Sequence, residues 1–561
     1  MNTNAIPSDS LSKYQLRILW TILLAGSFLR IFHYLDNRSL WEDEVFLASS
    51  LVKMNFYELA TAPLDYRQRA PIGFLWAVRL IVGLLDNKEM SLRLFPLLCG
   101  VSSMFLFVPV ARYFLRTQIS LIVAVFLVAF VPPLVYHSVE VKQYGTEFLA
   151  SVFSLFLFTK FYKNNSLSSL LLWGLGGAIT LWFSFSSLFI LAGIGTAVSL
   201  TSLIKRDWRM FFTGLIPFSI WLVSFVIQYV FFISKFPEEE WLTHFWRNRE
   251  AFMPFPPQSL KDVSWPFVQI YSLIRYPLGL SWIELDYKQH YSQLTRVLAR
   301  MPVLPFLTGL LGLWAFYSKR KKHLLVLASP VIIALLASAL ELYPLRERLT
   351  LFLAPIFILV IAKGIEQFYE FKLSVTVKNT LVAFLLFPPL LNSVVEAWHT
   401  DLFGDYKKSY QREAMQYLEK NYKPGDVVYV YWNNIPSFQF YQEVYGFPFH
   451  TVYGSDLRTI SKDFESYFEN LSLDFRKFRG NKRLWLAYKP YNTMKLGDIE
   501  NTPAWYYHNV NAHQRMFNKV SSFGTIIDSF PTVNRDTDIK LYLIELTGEQ
   551  PGGNAQNLSG N

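Results

Sequence analysis

Glu42, Asp43 and Glu44 stand side by side between Trp41 and Val45, in a stretch, LWEDEVFLA, that is otherwise apolar. Carboxylates so placed can accept protons or hold a cation. Two further stretches carry charge in apolar surroundings. VYHSVEVKQYGTE (135–147) brings Glu140, Lys142 and Tyr144, and ELYPLRERLTLFLAP (341–355) brings Arg346 and Arg348. Gathered on one membrane face, they make a site for an anionic group beside a proton-accepting acid. A phosphate suits such cations, because bidentate guanidinium contacts match phosphoryl oxygens. The plain alternative for 42–44 is an acidic loop, or a helix start with acids in its first turn, where the helix dipole favours them.

The elements that must position these residues are set by composition. Of 561 residues, 52% are hydrophobic and only 17% charged, where soluble domains carry about 25% charge. Apolar runs of roughly 20 residues, each long enough to cross hydrocarbon as a helix, recur over the first 400 positions. We read crossings at 16–35, 91–111, 119–136, 144–162, 167–182, 187–204, 210–233, 301–317, 324–340, 349–366 and 379–397, about eleven transmembrane helices in all. The repetition excludes a single cleaved signal peptide. Lys13 and Arg17, Arg112 and Arg116, Lys160 and Lys163, Lys205, Arg206 and Arg209, the KRKK run 319–322, and Lys372 and Lys378 then share one side, which the positive-inside rule makes cytoplasmic. Segment 70–85 is short and holds Arg79 near its middle; counting it as a crossing would invert every later loop. It is expected to lie in the interface with Arg79 snorkelling.

This topology puts the N-terminus in the cytoplasm and residues 36–90, 137–143, 234–300, 341–348 and everything after about 398 outside. The domains expected are a membrane domain over 1–397, with external loops 36–90 and 234–300, and an extracytoplasmic α/β domain over 398–547. A Gly-, Asn- and Gln-rich tail, 548–561, reads as disordered. The α/β rhythm comes from SYQREAMQYLEKNY and IPSFQFYQEVYG as helices and VVYVYW and RLWLAYKP as strands, followed by NAHQRMFNKVSSFG, TIIDSF and IKLYLIEL. In loop 234–300, Glu238, Glu239 and Glu240 read as a solvated acidic face. Trp241, Trp246 and Trp265 read as interface anchors in preference to a sugar platform.

The net charge of +11 lies in short loops between apolar runs, so nucleic acid is discounted as a partner. One cysteine, Cys99, leaves no disulfide framework and no Cys-based zinc site. No Walker A loop, GxGxxG, HExxH or GxSxG motif is present. The histidines, among them His33, His137, His244 and His290, are scattered and define no metal site; a divalent cation is left as an option.

WEDEVFLA after the first helix resembles the Asp-Glu signature in the first external loop of the GT-C membrane glycosyltransferases. That superfamily includes protein O-mannosyltransferases and the aminoarabinose transferase acting on lipid A. QRAPIGFLWAVRLIVGL is similar to the family's His-Pro-Pro-Leu-type juxtamembrane helix, EMSLRLFPLLCGV to its Leu-Arg-Leu helix start, YHSVEVKQY to its Ser-x-Glu-Ala-Arg-x-Tyr loop, and YPLRERLTLFLAP to its late Tyr-Pro-x-x-x-Arg loop. Gln68, Arg69 and Ala70 stand where the family often has His and Pro, and Lys142 replaces the common Arg. The resemblance implies transfer of a sugar from a polyprenyl-phosphate donor to an acceptor hydroxyl on a glycan, lipid or protein, within a cell membrane. Asp43 is then the expected base. Glu44 orients Asp43, binds the acceptor or holds a cation, and Glu140 is the second acid across the cavity. Arg69, Lys142, Arg346 and Arg348 are expected on the phosphate, with Tyr144 as a substrate ligand or a belt aromatic. Two other classes share the helices and the cationic mouth: a transporter or flippase for a lipid-linked sugar, and a noncatalytic membrane scaffold.

Overall fold

The computed structural model describes residues 12–235, 240–281, 292–293, 303–404, 407–478, 480–490, 503, 505–506, 512–531 and 539–547. The side chains of Glu240 and Trp241, and all of Glu238, Glu239, His290 and the tail 548–561, lie outside what it describes.

In hydrocarbon a chain must satisfy its backbone internally, and the apolar runs accordingly fold as helices. Among the described residues seven are long and apolar enough to cross a membrane: Lys13–Asp36, Glu89–Phe114, Ser187–Lys205, Trp208–Phe231, Lys321–Ala339, Glu347–Phe368 and Val375–Trp398. The chain is a multi-pass membrane protein. An eighth candidate is Gln118–Phe130 continued by Pro132–Val139 across a 54° bend. The bend falls at Pro132 and Pro133, which lack the N–H that would continue the ladder. Leu167–Phe183 and Val303–Lys319 are apolar but shorter. Tyr144–Phe161 carries buried Thr146, Glu147, Ser151 and Ser154, which lower its hydropathy. Every stretch read as a crossing thus falls on a helix, while length and composition qualify seven, or eight with the bent pair.

Close packing of two helices sets the position of a site residue. Helices Val303–Lys319 and Ala354–Phe368 approach until a Cβ on Gly312 would collide with the carbonyl of Val360, and one on Gly364 with that of Thr308. Small residues at four-residue spacing allow such backbone contact in a membrane. Immediately before Ala354 lies the 3-10 turn Glu347–Leu353, which carries Arg348.

Segment 70–85 forms the helix Ile72–Leu84, about 20 Å long at 1.5 Å per residue and too short to span. Arg79, expected to snorkel, is tied to a neighbouring helix. Its guanidinium donates to the carbonyls of Leu51 (3.2 Å) and Val52 (3.0 Å), which the end of helix Glu42–Lys53 leaves without intrahelical partners.

The C-terminal part holds a five-stranded sheet in the order β2-β1-β3-β5-β4, with β1 Val427–Val430, β2 Thr451–Tyr453, β3 Arg483–Tyr488, β4 Gly524–Ser529 and β5 Lys540–Leu546. β1 runs parallel to β2 and β3, and β5 antiparallel to β3 and β4. Alternate residues face opposite sides. Val427, Tyr429, Leu484 and Leu486 enter one apolar cluster. Val428, Val430, Trp485, Ala487, Leu541 and Leu543 enter another, which also contains Leu40, Val45, Leu51, Phe74, Val78 and Leu92. One face of the sheet therefore shares a core with segment 40–92.

Candidate active site

Successive residues of a helix lie 100° apart, so the three acids opening helix Glu42–Lys53 point three ways. Glu42 is half exposed, with Lys489 Nζ 3.5 Å from its Oε1. Glu44 is fully buried. It accepts from Arg93 in a bidentate pair at 2.8–3.1 Å, from the Val141 N–H (2.9 Å) and from the Trp41 N–H (3.3 Å), with Arg38 at 3.6 Å. Glu44 thereby ties helix Glu42–Lys53, helix Glu89–Phe114 and loop 139–143 into one frame. Asp43, a quarter exposed, pairs through Oδ2 with Arg348 at 2.6 Å.

Around Asp43 the other segments converge. Arg348 lies 5.5 Å from the ring centres of both Trp41 and Tyr144. Lys142 is buried; its Nζ donates to Gln68 Oε1 at 2.6 Å and lies within electrostatic reach of Asp43. Glu140 is locked on both oxygens. Oε1 accepts from Trp41 Nε1 at 3.1 Å, Oε2 meets His137 Nδ1 at 2.6 Å, and His137 Nε2 bonds the Tyr276 hydroxyl. Lys408 Nζ lies 4.5 Å from the Trp41 ring and 4.7 Å from the Tyr136 ring.

The charges of these groups follow from the arrangement. Burial pushes the Asp43 carboxyl up, but Lys142 and Arg348 outweigh it and leave Asp43 below the usual carboxylate range. Burial likewise acts against Glu140, and His137, Lys408 and Arg348 reverse it, holding Glu140 ionised. Burial pushes Lys142 down, against the pull of Asp43. An ionised carboxylate beside several fixed cations can take a proton while the cations receive a phosphate.

The structure brings Asp43, Glu140, Lys142, Tyr144 and Arg348 together. Arg346 is not among them. Glu347 has φ +47°, which turns the chain between the two arginines. Arg346 faces a separate cavity of about 640 Å³, lined also by Arg247, Glu250, Trp265, Gln269 and Glu341, and donates to the carbonyl of Arg249. Arg69 is half-buried beside Gln68 and has contacts of its own. Trp246 and Trp265 are both buried, the latter donating to the Glu250 carbonyl, so neither is an exposed interface anchor as the sequence suggests. Among the described residues no three His, Cys, Asp or Glu converge as a metal site. Trp41, Tyr276 and Lys408 are not singled out by the sequence, and Gln68 only as a departure from a motif. Trp41 abuts the acidic triplet and His137 precedes Glu140 by one turn, which are usable signals. Tyr276 and Lys408 come from distant segments and carry none.

No protein-family model matches the chain, and no curated protein matches it by sequence. Among solved structures, ArnT from Cupriavidus metallidurans bound to undecaprenyl phosphate is similar at 12% identity and TM-score 0.48, over 95% of this chain and 99% of that one. The Archaeoglobus fulgidus oligosaccharyltransferase tethered with an acceptor peptide is similar at 13% identity and TM-score 0.47, over 85% of this chain and 69% of that one. Likeness at this level leaves function to the site's own chemistry.

Proposed function

We propose that the protein is an integral-membrane glycosyltransferase that moves a sugar from a polyprenyl-phosphate donor to an acceptor hydroxyl on the extracytoplasmic side of a cell membrane. The N-terminus is cytoplasmic, and the sheet domain stands outside over the site. One observation carries the reading: Asp43, ionised and partly open, sits against Arg348 and within reach of Lys142, while Glu140 is tied off by His137 and Trp41. A phosphate arriving between Arg348 and Lys142 competes for the guanidinium that Asp43 holds and frees that carboxylate for the acceptor. The acceptor oxygen attacks the anomeric carbon, its proton passes to Asp43, and the bond from that carbon to the phosphate oxygen breaks with its electron pair on the leaving polyprenyl phosphate. The leaving group needs fixed positive charge and no acid. Glu140 acts through its bonds to Trp41 and His137, and Glu44 through the frame it ties together. Tyr144 places its ring beside the Arg348 guanidinium. The acceptor is a glycan, lipid or protein hydroxyl.

The test uses purified protein in nanodiscs, a panel of polyprenyl-phosphate sugars with candidate acceptors, and mass spectrometry of the lipid fraction. Wild type should consume one donor and Asp43→Asn should spare it, the rate falling by about 10²–10⁴. Survival of every donor while one still binds would favour a transporter. Full activity of the variant would remove Asp43 from the mechanism.

A further inference from the structure

Beyond the cations already assigned to the phosphate, the site contains one that arrives from the other end of the chain. Lys408 belongs to the segment joining the last membrane helix, Val375–Trp398, to the first helix of the sheet domain, Gln411–Asn421. Its ammonium lies against the faces of Trp41 and Tyr136, 4.5 and 4.7 Å from the ring centres, with Glu140 the carboxylate in its electrostatic surroundings. Glu140 is already engaged by Trp41 and His137. The neighbouring Lys407 is different: its ammonium is paired with Glu413 at 2.7 Å.

Charge balance gives this placement a meaning. Among the described residues, the cations that pair with or face Asp43, Glu44 and Glu140 are Arg38, Arg93, Lys142, Arg348 and Lys408, five against three carboxylates. With His137 neutral, cations exceed carboxylates by two. Glu42 and Lys489 face each other and cancel. A sugar phosphodiester carries one negative charge, whereas a phosphate monoester carries close to two at pH 8, since its second ionisation lies near pH 6. Without Lys408 the surplus matches the diester; with it, the surplus matches the monoester.

Resting on the transferase reading, we propose that Lys408 is a phosphate-binding residue supplied from the C-terminal side of the chain, and that it makes the site selective for the dianionic polyprenyl monophosphate over its singly charged diester. Charge of that second kind develops only as the sugar leaves, so the lysine acts on the transition state more than on the bound donor. The site is complete only when residues 407–411 are seated.

Binding of undecaprenyl phosphate and of its methyl diester to full-length protein in nanodiscs at pH 8 tests this, by native mass spectrometry. Wild type should bind the monoester more tightly. Lys408→Met should weaken the monoester by about tenfold or more while changing the diester less than about threefold. Lys408→Arg should restore the preference, and Lys407→Met should leave both affinities as they are. Equal loss of both ligands, or no loss, in Lys408→Met would overturn the assignment of Lys408 while the transferase reading stands. Failure of wild type to bind either lipid would overturn the transferase reading itself.

Discussion

At the scale of single residues, the environment of each acid decides what it can do. Asp43 differs from Glu44 by one position, yet one stays a quarter exposed beside Arg348 and Lys142 while the other is sealed among two arginines and two backbone amides. Because its folded value lies below the ordinary carboxylate value of about 3.9, the Asp43–Arg348 pair contributes stability above that pH and loses it as pH falls through the lowered value. Asp43 is thus ionised throughout the neutral range, and a pH profile of kcat/KM should show no acid limb from the base between about pH 5 and 8. The charged residues of the site were legible in the sequence because a carboxylate or guanidinium inside an apolar run is conspicuous. Their division of labour was not, since helical rotation and the turn at Glu347 separate residues that are adjacent in the chain. Arg346 and Arg348 show this most plainly: one motif supplied both, and backbone geometry sends only one to Asp43.

Among elements, helices were readable wherever hydropathy sustained them, and boundaries such as Leu167–Phe183 and Val375–Trp398 fall close to the runs that announced them. The short β2 and the helix Phe464–Asp474 were missed, because three residues carry little periodicity and the helix mixes its acids with aromatics. The crossing at Gly312 and Gly364 is invisible to hydropathy, although it holds the helix that continues from Arg348. Gly364→Val should force those backbones apart. The expected result is a lower thermal midpoint, by several degrees, together with a fall in transfer rate larger than any fall in lipid binding, read by a melting curve and by the nanodisc assay side by side.

Across the whole molecule, the sheet domain is seated by polar contacts as well as by its shared core. Arg412 pairs with Glu89 at 3.0 Å and donates to the Asn37 carbonyl, while the Tyr445 hydroxyl donates to Glu89 and the Tyr441 hydroxyl accepts from the Leu40 N–H at 2.7 Å. Glu89 is buried, and a buried carboxylate stripped of its cation costs about 3–5 kcal/mol. Arg412→Gln should therefore destabilise the protein and slow transfer without touching substrate, and limited proteolysis should cut residues 399–411 faster. An α/β domain was evident from strand and helix rhythm in the sequence; its union with segment 40–92 was not, because no local pattern encodes a partner some 350 positions away.

That union sets a timetable for biosynthesis. Leu40, Val45 and Leu51 leave the ribosome about 500 residues ahead of Ile539, Leu541 and Leu543, which close the same cluster. At about 5–20 residues per second, the interval is on the order of tens of seconds to minutes. Throughout it the first loop must be held with its apolar face uncovered, so a truncation ahead of β5 would damage a site whose acids were translated about 500 residues earlier.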